Sequence, residues 1–436
     1  MKTLNKINIV LILLCTILGF AQQTPAPKQT KDFAIVGATA HIGNGEVVEN
    51  SIIVVSNGKI TTIGPEATTP LTRQAMDIID AKGKHVYPGF IVSNGTLGLV
   101  EVDAVKASDD LSELGTFNPH IRSIIAYNAE SKVVESMRPN GVLLGQVVPR
   151  GGRISGTSSV VQYDAWNWED AAIKTDNGIH LNWPNSFSRG RWWLGEDPGL
   201  KPNKNYNKQV TEVENYFNEA KSYSKGSKDN RHLPYEATIG LFDGTKRLFI
   251  NADDEKGITD AVNFAKAQGV KHITIVSGYQ AGNVADFLKQ NDVSVQLRRI
   301  HSRPELEDDD YDQSYKLAKK LVDTGVLVAL EPSGDMERMN SRNLPFYAGT
   351  TVTYGLTKEQ ALQLITLNAA KILGIDDSYG SLEVGKSATL FISEGDALDM
   401  RTNQLTHAFI DGRNISLETH QTELWKRYSE KYKNEQ

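Results

Sequence analysis

Cysteine is all but missing. The single one, Cys15, sits in an apolar run near the start. Cleavage before Gln22 would leave none, which excludes disulfides, thiolate metal sites and a cysteine nucleophile. Lipidation of Cys15 is disfavoured because Ile12, Leu13 and Leu14 are bulkier than the residues that precede a lipid-bearing cysteine. A chain of 436 residues buries enough core to do without staples. Basic clusters are also missing. The net charge is −6, and no Lys/Arg block of the kind a nucleic-acid surface needs is present. Short-period repeats and low-complexity tracts are absent.

The one long hydrophobic run is INIVLILLCTILGFA, preceded by Lys2 and Lys6 and ending in Gly19 and Ala21. It has the charged start, short apolar middle and small-residue end of a secretory signal peptide over residues 1–21. The expectation is a periplasmic or secreted protein with no membrane contact after cleavage. Residues 22–31 form a polar linker.

Residues 32–87 are β-branched and rich in turn signals, with Asn57-Gly58 as a tight hairpin. Residues 380–416 match them, with Asp411-Gly412 as a second hairpin. These two pieces predict a composite β-sandwich built from both chain ends. Between them, 88–379 alternates short apolar strands with helices that end near Gly or Asn, most clearly from 246 to 373. This α/β pattern predicts a TIM-like (β/α)8 barrel with an insertion at about 140–235; a doubly wound open sheet is the alternative. TKEQALQLITLNAAKILG reads as one helix, opened by a Thr357/Gln360 capping box and stopped by Gly374. Residues 417–436 predict a surface helix.

Three motifs point to a family. They are Asn57-Gly58-Lys59-Ile60 with Ile63-Gly64, then Pro88-Gly89-Phe90-Ile91, then LITLNAAKILGIDDSYGSLEVGKSATLFI at 364–392. Together they resemble the amidohydrolase superfamily, imidazolonepropionase-like branch, over about 32–415, with Ala369 in a slot where that family has proline. The resemblance implies the barrel and a hydrolase acting on a non-peptide C–N bond of the cyclic-amide class. It also implies a divalent metal held by His-x-His at the first strand tip, by two later histidines and by a final Asp. Here the matching residues are Asn94 and Thr96, with Val92 before them, then Asn251 and Ser277. Ser333 or Asp335 stands where the Asp would be. Neutral amides and hydroxyls are weak ligands for zinc, so no cofactor is expected beyond a weakly held divalent metal.

Other residues offer substitutes. His301 ends an apolar strand and could meet Asp335 at the barrel's C-terminal face as ligand or base; the alternative is a locally bonded histidine before a solvated Asp run. Arg150 and Arg153 flank a Gly-rich loop and could hold an anionic group. Ser155 and Ser158 lack the histidine and elbow of an acyl nucleophile. Five of the six tryptophans fall between 163 and 199, as a lid, a stacking shelf or simple anchors. His180, in the same stretch, reads as structural. Asn94, Thr96, Asn251 and Ser277 then become candidate substrate contacts. Two functions stay open: a divergent hydrolase, or a pseudoenzyme that binds a small molecule or partners a His-bearing homologue.

Overall fold

The computed structural model describes residues 24–71, 76–197, 199–334 and 336–433. The expected leader at 1–21 and the candidate Asp335 lie outside them. Strands β1 (Phe33–His41), β2 (Val47–Ser56), β3 (Lys59–Pro65), β4 (Asp77–Asp80) and β5 (His85–Pro88) come first. β6 (Phe90–Gly95), β7 (Val142–Val147), β8 (Ile154–Gln162) and β9 (Ala172–Asn182) follow. After a small hairpin of β10 (Phe187–Arg189) and β11 (Leu200–Pro202) come β12 (Arg247–Ala252), β13 (Ile273–Ser277), β14 (Ser294–Leu297) and β15 (Val328–Leu330). β16 (Leu390–Ser393), β17 (Leu405–Ile410) and β18 (Arg413–Asn414) end the series.

The two chain ends share one eight-stranded sheet, in the order β18-β17-β16-β5-β1-β2-β3 with β4 on β1. The join is β16 against β5, antiparallel, with Leu390 opposite Pro88. Both anticipated hairpins form, and all four turn residues have positive φ: Asn57 50°, Gly58 77°, Asp411 49°, Gly412 71°. The turns also press on each other. A Cβ on Gly58 would lie 2.8 Å from the Asp411 carbonyl oxygen, and one on Gly412 2.9 Å from Gly58 Cα. Glycine is required at both for backbone shape and for approach.

Pro88-Gly89 carries the chain from this sheet into the barrel. Gly89 N donates to Thr389 O on one side, and Phe90 N to Gly141 O on the other. Phe90 meets Phe391 edge-on at 4.9 Å, which seals the junction. A buried ion network adds to it. Asp164 pairs with Arg138 at 3.3 Å and with Arg413 at 2.8 Å, and it accepts from Ala26 N at 2.9 Å.

The second sheet has eight strands in the order β15-β14-β13-β12-β9-β8-β7-β6 and nearly closes into a barrel. It departs from a regular (β/α)8 repeat at one place. β8 runs antiparallel to both β7 and β9, so a meander stands where two βα units were expected. Hence 142–182 supplies three barrel strands rather than part of an insertion. The seam between β6 and β15 is bridged by another segment: Ile91 N donates to Ile365 O and Leu330 N to Leu364 O. Ser93 Oγ crosses the seam to Leu330 O at 2.8 Å. This explains why the expected long helix is two, Lys358–Gln363 and Leu367–Leu373. The carbonyls of 364 and 365 serve the barrel instead of a helix. The capping box at Thr357/Gln360 and the stop at Gly374 are as expected.

The tryptophans do not form one shelf. Trp183 is buried and donates to Tyr206 OH at 3.0 Å, while Trp166 and Trp193 are exposed. The helix His420–Lys433 buries no side chain.

Candidate functional site at the barrel mouth

Strand ends β6, β9, β12, β13, β14 and β15 converge on a polar cavity of about 370 Å³. Of the residues expected there, Asn94, Arg150, Asn251 and Ser277 line it. Two of these have left-handed backbones, Asn94 at φ 50° and Ser277 at φ 73°. Non-glycine residues at such angles carry roughly 1 kcal/mol or more of strain and gather at functional sites. Ser277 Oγ is held by Asp253 at 2.6 Å.

The others are elsewhere. Thr96 is buried beside the cavity, and its N and Oγ1 donate to Glu337 at 3.0 and 2.9 Å. Arg153 donates to Asn182 O at 2.7 Å and faces a larger outer hollow, which shares Asn182, Asn251, Asp253 and Glu305 with the inner cavity. His301 turns to helix Leu344–Thr353, 2.8 Å from Thr350 Oγ1 and edge-on to Tyr347, so it does not reach the cavity. Burial lowers its pKa.

Glu331 is the residue that sequence reasoning missed. It follows β15 directly, is fully buried and lines the cavity. It accepts from Asn94 Nδ2 at 3.1 Å, Ser333 N at 3.0 Å and Ser333 Oγ at 2.5 Å. Burial is the largest influence on its carboxyl and Glu337 adds to it; against the Ser333 bonds and Arg150, the pKa is pushed up to about 7. The signal was present in VALEPSG: an acidic residue directly after an apolar strand end. Register with the family's Asp drew attention two residues too far.

Arg150 ties the rim together. It donates to Asn94 Oδ1 at 3.0 Å and Asn94 O at 2.7 Å, and it pairs with Glu337 at 3.2 Å. Beneath lies a buried amide network. Gln146 Oε1 accepts from Asn94 N and Gln296 Nε2, while Gln146 Nε2 donates to Ser158 Oγ at 3.0 Å. Ser158 Oγ in turn lies 2.8 Å from His180 Nε2. Burial, reinforced by Arg150, holds His180 well below the usual histidine range, so the ring is neutral. With Nε2 accepting from Ser158, the assigned proton is on Nδ1. The ring lines the cavity and stacks on Phe249 at 4.8 Å. His180 is thus part of the site rather than a core histidine.

Asn94, Thr96, Asn251 and Ser277 stand where the resemblance places imidazoles. Both polar atoms of the Asn94 side chain and the Thr96 hydroxyl are engaged by Arg150, Glu331 and Glu337. Among the described residues, no group of three or more His, Cys, Asp or Glu side chains is placed to hold a metal ion. This donor set does not fit the metal that the resemblance implies.

A model of the amidohydrolase family matches residues 332–416. Imidazolonepropionase of Flavobacterium psychrophilum is 29% identical over 108 residues, 23% of this chain and 26% of that protein. Imidazolonepropionase of Syntrophobacter fumaroxidans is 35% identical over 82 residues, 19% of each chain. The chain therefore matches only about a quarter or less of these relatives' length. Among solved structures, an amidohydrolase from Thermotoga maritima superposes with a TM-score of 0.75 at 22% identity, over 88% of this chain and 99% of that one. A Xaa-Pro dipeptidase gives 0.54 at 14% identity, over 88% and 99%. These likenesses carry the fold alone; the motifs, the matched family model and the curated relatives carry the kinship. Over residues 332–416 and in these partial alignments, the chain is similar to the amidohydrolase superfamily, on its imidazolonepropionase-like branch.

Proposed function

We propose that this is an exported hydrolase that opens a non-peptide C–N bond of the cyclic-amide class, with Glu331 handling protons where relatives use a metal. The observation that carries this reading is the Glu331 carboxyl: fully buried, at a barrel strand end, with a pKa of about 7. A group poised there both takes and gives a proton at neutral pH. Three of its roughly four acceptor directions are filled, leaving one for a water or a substrate N–H. In the reaction, water adds to the amide carbon and gives its proton to Glu331. Glu331 returns that proton to nitrogen as the C–N bond breaks. Arg150, fixed by Asn94 and Glu337, supplies positive charge near the oxygen that becomes negative, and His180 Nδ1–H is a second donor.

Hydrolysis of cyclic imides and small cyclic amides, followed by mass spectrometry with and without chelator, tests this. Chelator-resistant turnover that is lost in Glu331→Gln supports the reading. Turnover unchanged in that variant overturns it. A second reading, a binding or partner protein that has given up the chemistry, is favoured by the saturation of the Asn94 side chain. It predicts ligand binding at the mouth with no product, and it extends to a His-bearing homologue as partner.

A further inference from the structure

The starts of β13, β14 and β15 lie at the opposite end of the barrel. β13 has five residues, so at about 3.3 Å per residue its ends are ~13 Å apart. The turns before these strands, with the end of helix Leu367–Leu373, enclose a cavity of about 140 Å³. Arg247, Lys271, Lys289 and Lys371 line it with His272, and Asp292 is the one acidic side chain in the lining.

Most of these cations are unspent. Lys271 reaches the Asp243 carbonyl at 3.2 Å. Among the described residues, Arg247, Lys289 and Lys371 have no ion pair and no side-chain hydrogen bond. Arg247 is half-buried, and burial lowers its pKa while Asp376, outside the lining, partly offsets this. Burial together with Arg247 and Lys271 holds His272 below the usual histidine range, which marks a positive field. Helices Glu255–Gln268, Ala285–Gln290 and Gln313–Asp323 end on this side, and helix C-termini attract lysines. That attraction accounts for exposed lysines. It does not account for a half-buried guanidinium with no acceptor.

We infer that this basal cavity binds a small, multiply charged oxyanion of the phosphate class, independently of the barrel mouth. The planar guanidinium of Arg247 matches such an oxyanion through paired N–H groups, with the lysines as point charges around it. The cavity, at about 140 Å³, has room for several waters or a small ion.

The test is calorimetric titration of the full chain with orthophosphate, with a phosphomonoester beside it and acetate as control, at low and raised salt. Saturable one-site binding that weakens with salt is expected. The tighter of the two phosphates tells whether the ion is free or ester-borne. Lys289→Gln with Lys371→Gln should lower the affinity about tenfold or more and leave mouth-site binding unchanged. Arg247→Lys should weaken binding while keeping the charge. Absence of saturable binding, or equal affinity in these variants, overturns the inference and assigns the cations to the helix ends.

Discussion

The same four strands, β12 to β15, end in Asn251, Ser277, Arg298 and Glu331 near the mouth and begin near Arg247, Lys271, Asp292 and Leu327 at the base. At the mouth nearly every polar group is spoken for. Arg298 pairs with Glu305 at 2.5 Å, Ser277 with Asp253, and Asn94 with Arg150 and Glu331. At the base Arg247, Lys289 and Lys371 form no ion pair among the described residues, although Asp292 shares the lining and Asp376 acts on Arg247. Burial accounts for the difference. A polar group taken out of water must find partners, whereas a half-exposed cation keeps its solvent and stays available. A mouth built this way is pre-organised, and the proposed reaction rests on the buried Glu331, whose pKa is pushed up to about 7.

The largest effect is expected on activity. Glu331→Gln should lower kcat/KM for a cyclic amide by roughly 10²–10⁴-fold, the range for removal of a general acid–base group. Lys371→Gln should leave it unchanged in the same assay.

On stability, Asp164→Ala removes the buried carboxylate that pairs with both Arg138 and Arg413 at the junction of the two sheets. It should cost about 3–5 kcal/mol by urea denaturation. Arg150→Met leaves Glu337 unpaired at a partly exposed site and should cost less, roughly 2 kcal/mol.

The pH dependence of stability has a defined sign. Between its ordinary value of 4.5 and about 7, the folded chain keeps a Glu331 proton that the unfolded chain has released. Stability contributed by that proton is present below the unfolded pKa and is lost as pH rises through the folded one. Urea midpoints should therefore fall across this window in the wild type, and the fall should be shallower in Glu331→Gln. An equal slope in both would remove the proton from Glu331.

The smallest effects come from left-handed residues. Asp292→Gly at the base relieves φ 51° without loss of a side-chain hydrogen bond and should stabilise by about 0.5–1 kcal/mol. Ser277→Gly at the mouth also gives up the Asp253 hydrogen bond, so its net change should be close to zero.

Much of the scaffold was legible locally. Asn57-Gly58, Asp411-Gly412 and the Thr357/Gln360 cap are short-range chemistry and form as read. The split at Leu364–Thr366 was not legible, because those residues favour a helix locally and are overruled by two barrel hydrogen bonds. The reversed β8 was hidden for a similar reason: an apolar run carries no sign of direction. At the site, Asn94, Asn251 and Ser277, which the resemblance singles out, line the cavity at the strand ends. His301 was singled out by its place at the end of an apolar strand, which does not reveal that the ring turns to Thr350. Glu331 was overlooked because its importance lies in burial, which a single sequence does not display.

The most direct measurement is elemental analysis of the freshly purified protein after zinc loading and gel filtration, with turnover assayed on the same sample. Well under one equivalent of zinc and unchanged turnover in chelator are expected. About one equivalent of zinc held at the strand tips, with activity that follows it, would contradict the account.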